Sequence, residues 1–114
     1  MISYPDLVEF LEKKMRMSAH YQPTIIKNLL YKYPNQPTVQ FIARKVFPVP
    51  MPLSQAVDRC KKMPFKVLKS HGVIAIDNPF IYLDLDRKLS TDEQQLLIGL
   101  CNQKLKEFNE RKKI

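Results

Sequence analysis

Leu53 to Leu85 reads L-S-Q-A-V-D-R-C-K-K-M-P-F-K-V-L-K-S-H-G-V-I-A-I-D-N-P-F-I-Y-L-D-L. Leu53, Ala56, Val57 and Cys60 recur at i, i+3, i+4 and i+7, the spacing of one buried helix face. Pro64 interrupts after Met63, and such a proline either kinks one helix or starts a second short one. Phe65, Val67 and Leu68 are expected to bury, with Lys61, Lys62, Lys66 and Lys69 facing outward. Gly72 is suited to the left-handed conformation that ends a helix. Val73–Ile76 and Phe80–Leu85 are β-branched and aromatic around Asp77-Asn78-Pro79, which predicts a hairpin with a three-residue loop. Ile81, Leu83 and Leu85 alternate with Tyr82 and Asp84, so one face of it packs and the other is wet.

Upstream, Pro5 to Met15 carries an apolar stripe of Leu7, Val8, Leu11 and Met15, with Lys13, Lys14 and Arg16 at the end the helix dipole favours for cations. Pro23 to Tyr33 buries Ile25, Ile26, Leu29 and Leu30 by the same spacing. Pro37 to Phe47 does so with Val39, Ile42, Ala43, Val46 and Phe47, and Pro37 is expected at its first helical position. A polar, proline-containing turn joins these two helices. Phe47–Pro52 has proline at alternate positions and reads as a stiff, extended spacer. Downstream, Ser90-Thr91-Asp92-Glu93 is a capping box. Leu96, Leu97, Leu100, Cys101, Leu105 and Phe108 follow as a long stripe that either closes the core or dimerises.

The 114 residues suit one domain, and the formal charge of +8 favours a polyanionic partner. Residues 37–72 hold seven basic side chains against the single acid Asp58, so most of the excess falls there. A solvated basic face is the plain alternative. No run approaches the ~18 apolar residues of a membrane span, and M-I-S-Y-P-D lacks the features of a secretion signal. The two cysteines, Cys60 and Cys101, form no C-x-x-C and are expected as buried free thiols of a cytoplasmic protein.

The order helix, turn, helix, basic helix, hairpin reads as a mostly α fold with a small β-hairpin, a winged helix-turn-helix with additional N- and C-terminal helices. It would fill residues 1–114 as one domain, with 1–17 as the added helix, 18–86 as the core and 89–112 as the closing helix. Three stretches, H-Y-Q-P-T-I-I-K-N-L-L (20–30), M-P-F-K-V-L-K-S-H-G-V-I (63–74) and L-S-x-x-E-x-x-x-L-I-x-L-C-x-x-K (89–104), carry a family likeness. Over about residues 17–112 the chain resembles prokaryotic winged-helix modules of restriction-type proteins, which are often fused to HNH nucleases or helicases. The resemblance implies a DNA-binding accessory domain, in restriction-modification or transcription regulation, and not a catalyst. Against that pattern the chain carries an extra N-terminal helix and contains no nuclease segment.

The expected ligand is therefore double-stranded DNA, met by Arg59, Lys61, Lys62, Lys66 and Lys69, with Arg44 and Lys45 holding the backbone and Asn78 at the wing tip. The hairpin's Asp77, Asp84 and Asp86 fit that reading poorly. Nothing in the sequence asks for a cofactor or metal, since it has no Gly-rich phosphate loop and no ligand-spaced cluster. His71 reads as a helix-end residue. Two rivals remain: a protein-interaction module or homodimer using the C-terminal helix, and a small nuclease built on Asp77, Asp84, Asp86 and Lys88.

Overall fold

Between residues 33 and 80 a proline or glycine stands at each break in the secondary structure. The computed structural model describes residues 1–15 and 20–112, Lys112 by its backbone alone. Arg16 and Met17, at the expected end of the first helix, and Lys113 and Ile114 lie outside the described residues. The fold is mostly helical with one small two-stranded antiparallel sheet.

Helix α1 (Tyr4–Glu9) starts where Ser3 Oγ accepts from the Asp6 amide, and it runs directly into a π-helical turn, Phe10–Lys14. There Met15 N–H donates to the Phe10 carbonyl, five residues back, at 2.9 Å. Phe10 is buried with Leu7, Leu11 and Met15, whereas Val8 is only half-buried. Helix α2 (Tyr21–Lys32) buries Ile25, Ile26, Leu29 and Leu30 as its spacing requires.

Pro37 does not open the next helix. Thr38 caps α3 (Val39–Val46), its Oγ1 accepting from the Phe41 amide at 3.1 Å. Pro37 is instead buried, its carbonyl accepting from Ile81 N–H at 3.0 Å, while Val39 N–H donates to Pro79. A residue with no N–H suits the edge of a ladder where only its carbonyl is used, and threonine is the better cap.

Pro64 divides the basic segment into α4 (Leu53–Lys62) and α5 (Pro64–Ser70). Met63, at φ −126° and ψ −79°, lies outside the helical region because the residue before proline is pushed from it. Ala56, Cys60, Phe65 and Leu68 are buried. Leu53 and Val67, expected inside, are 41% and 37% exposed. Val67 lies about 200° around the helix from Phe65, so the two cannot share a face. Leu53 borders the proline spacer and opens onto a groove.

Helix α5 ends in two overlapping bonds, Val73 N–H to the Leu68 carbonyl and Gly72 N–H to the Lys69 carbonyl, both 3.0 Å. That pattern is a Schellman stop, and Gly72 supplies the φ of +73° it requires. Gly72→Ala is expected to cost about 1–2 kcal/mol by forcing an L-residue left-handed. Urea denaturation at unchanged m-value would measure it. An undiminished midpoint would mean the stop relaxes.

Strands β1 (Ile74–Asp77) and β2 (Phe80–Leu83) pair with Asp77 opposite Phe80, so the loop is two residues, Asn78-Pro79, not three. Ile81 and Leu83 face the core, as the alternation requires. β2 lies between β1 and Thr38, which bridges Phe80, and Ile2 bridges Leu85 just beyond it.

Helix α6 (Thr91–Lys112) begins at the expected capping box. Ser90 Oγ accepts from Glu93 N–H at 3.1 Å, and Glu93 Oε1 accepts from Ser90 N–H at 2.9 Å. Arg87 grips the same carboxylate at 2.8 and 2.6 Å and, with the Ser90 amide, holds it well below the usual range, at about 2. α6 packs mainly on α2, burying Leu97, Ile98, Cys101 and Phe108, while Leu96 is turned outward at 49% exposure. The apolar stripe thus closes the core of its own chain. Burial pushes the Cys60 thiol up to about 11 and Cys101 up to about 12, and both are unpaired. Among the described residues, no helix is long and apolar enough to cross a membrane.

Candidate nucleic-acid interface

The break at Pro64 determines which lysines meet. Lys61 lies in the last turn of α4, Lys66 and Lys69 project from α5, and Asn78 stands at the hairpin turn. All four line one open cleft of about 390 Å³, floored by Phe65 and Ile76. Among the described residues, none of the three ammonium groups is in an ion pair. Three exposed cations over an apolar floor, with an amide beside them, can hold an anionic backbone through hydrogen-bonded phosphate oxygens.

The other four expected residues lie elsewhere. Lys62 Nζ is 3.3 Å from Asp58 one turn back, both well exposed. Arg59 lies over the Phe47 ring, 5.9 Å from its centroid. Arg44 Nη1 donates to the carbonyls of Phe47 and Met51 at 3.3 and 2.7 Å, so it clamps the proline spacer. Lys45 sits 5.2 Å from the Phe41 centroid, and Lys32 of α2 lies 4.8 Å from the same ring.

Phe41 and Lys45 also line a second depression, an open groove of about 800 Å³ whose walls include Pro48, Val49 and Leu53, while Lys32 meets it only through the Phe41 ring. The sequence reading missed it. The signal was Phe41 itself, an aromatic residue off the apolar stripe of α3.

The acids of the nuclease reading do not converge. Asp84 pairs with the Met1 ammonium at 3.0 Å, and Asp77 and Asp86 are exposed. Among the described residues no group of three or more His, Cys, Asp or Glu is placed to hold a metal ion. Both histidines take part in packing: His71 lies 5.1 Å from the Phe10 ring, and His20 Nδ1 is 3.2 Å from Thr24 Oγ1. Comparison with protein-family models, curated proteins and solved structures finds no match to this chain.

Proposed function

We propose that this protein binds duplex DNA as a winged helix-turn-helix, serving as a regulator or accessory recognition module. The observation that carries the reading is the cleft in which Lys61, Lys66, Lys69 and Asn78 come together from a split helix and a hairpin turn. The connectivity supports it: α2, a bridging residue at Thr38, α3, the α4–α5 pair, then a hairpin whose second strand lies between Thr38 and β1. In that arrangement α3 and α4 form the helix-turn-helix, and Asn78-Pro79 is the wing tip.

The three cleft lysines would neutralise phosphates along one strand, with Arg59 and Lys62 at the outer face of α4. Contacts of this kind give affinity and register and carry little sequence information. Base readout would fall to the exposed residues of α4, among them Ser54, Gln55 and Arg59. The acids of the hairpin limit how closely it approaches the backbone.

Fluorescence anisotropy of labelled random duplex DNA tests the reading. Each neutralised phosphate contributes a slope of about −0.9 to log affinity against log salt, so three to five contacts give about −3 to −4.5. Binding that is absent at the lowest salt, or insensitive to salt, would sink it.

A further inference from the structure

We infer that the groove between α3 and the proline spacer docks a short acidic, apolar segment of a partner protein. This inference does not rest on the DNA reading, since none of the groove's residues lines the cleft of Lys61, Lys66 and Lys69.

Three observations converge on that occupant. The first is uncovered apolar surface: Val49 is 75% exposed and Leu53 41%, beside the half-buried Phe41 and the exposed Pro48. The second is rigidity. Prolines at positions 48, 50 and 52 restrict the spacer, and Arg44 pins it through the Phe47 and Met51 carbonyls. A groove already held in shape loses little conformational freedom when it is filled. The third is charge. Lys32 and Lys45 both rest on Phe41, and among the described residues neither makes an ion pair. The chain contains no Asp or Glu between Glu12 and Asp58, so the stretch that builds the groove supplies no counter-charge of its own.

The ligand must therefore bring a carboxylate for Lys45, with Lys32 behind the Phe41 ring adding to the positive field, and apolar side chains for Phe41, Val49 and Leu53. A duplex meets the demand for negative charge through its phosphates, but its apolar groups, chiefly thymine methyls, lie recessed in the major groove and cannot follow the floor of this one. An amphipathic peptide meets both, in the way helices with apolar anchors occupy surface grooves. The groove's volume is within the range of ordinary ligand sites.

The test uses three fluorescein-labelled peptides of equal length and the full chain. The first alternates Asp and Glu with Leu and Phe at helical spacing. The second keeps the acids and replaces Leu and Phe with Ser, and the third keeps Leu and Phe and replaces the acids with Gln. The first should bind with amide shifts centred on Phe41, Lys45, Val49 and Leu53. The other two should bind at least about tenfold more weakly, as should the first peptide to Leu53→Ser and to Lys45→Glu, a loss of about 1.4 kcal/mol each. Leu53→Ser should keep its circular dichroism, and Val49→Ser, in the spacer outside α4, should lose the first peptide yet keep its affinity for duplex DNA.

Several outcomes overturn the inference. Equal binding of the first two peptides would mean general attraction to a basic protein. Shifts centred on the Lys61–Lys69 cleft would place the peptide elsewhere, and no binding by any peptide would leave the groove without this ligand. Lys32→Ala and Lys45→Ala weakening DNA binding as much as the cleft lysines would give the groove to nucleic acid. Self-association abolished by Leu53→Ser would give it to a second copy of the chain.

Discussion

Replacing Lys61, Lys66 and Lys69 together with alanine is expected to weaken binding to duplex DNA of any sequence by roughly 10²–10³-fold at about 0.1 M salt. The magnitude follows from counter-ion release. Three lost phosphate contacts remove about 2.7 units of salt slope, and between about 1 M salt, where the effect fades, and 0.1 M that slope spans about 2.7 decades. All three side chains are exposed, so the substitutions leave the core untouched and stability should stay within about 0.5 kcal/mol for each. The comparison with Lys62→Ala sharpens the test. Lys62 already has Asp58 at 3.3 Å, so its loss removes a partly neutralised cation and should cost less than any cleft lysine. A triple variant with an unchanged salt slope would remove the cleft from the DNA site. A triple variant no weaker than Lys62→Ala would mean that the basic charge acts diffusely and the cleft has no special part.

The parts of this molecule that were legible in its sequence are those fixed by local chemistry. The stripes of α2 and α3, the Gly72 stop and the Ser90–Glu93 box each depend on residues within a turn or two of one another. Misreadings arose where a distant partner decided the outcome. Pro37 looked like a helix start, but the Ile81 amide, far along the chain, takes its carbonyl into a ladder and leaves Thr38 to cap. Phe10 was passed over because a π-helical turn alters the phase of the stripe that α1 begins. Leu96 was counted inside because α6 is apolar on more than one side at that level, and packing on α2 selects Leu97 and Cys101.

The candidate site divides in the same way. That the segment after Leu53 is basic could be read directly, and so in principle could the i, i+4 pairing of Lys62 with Asp58. Pro64 left two geometries open, and only the split brings Lys61 beside Lys66 and Lys69. Arg44 looked like another backbone cation. Its clamp on Phe47 and Met51 depends on how the spacer folds back, which no local pattern specifies. Lys32 and Phe41 lie on different helices, so their contact was visible only once α2 and α3 had packed.

Phe65→Ala is expected to destabilise the fold by about 3–5 kcal/mol, the usual range for emptying a buried aromatic site. Set against a total of about 5–15 kcal/mol, that is about a fifth or more of what holds a domain of this size together. The melting temperature should fall by on the order of 10–20 °C. The reasoning is positional. Phe65 is 1% exposed and follows Pro64 at the start of a seven-residue helix, and of α5's side chains only Pro64, Phe65 and Leu68 are buried. So short a helix has little stability of its own, and packing holds it in place. Phe65 also floors the cleft beneath Lys61, Lys66 and Lys69, so the same substitution should loosen the geometry that gathers the lysines. Phe65→Leu, which keeps most of the volume, should cost less than about 1.5 kcal/mol and retain DNA binding. Val67→Ala, on the exposed side of the same helix, should change stability by no more than about 0.5 kcal/mol. Urea denaturation of the three variants separates the cases. Equal losses at Phe65 and Val67 would mean that α5 does not pack through the face assigned to it. A stable Phe65→Ala variant that still bound DNA with the full salt slope would show that the lysines need no rigid helix beneath them.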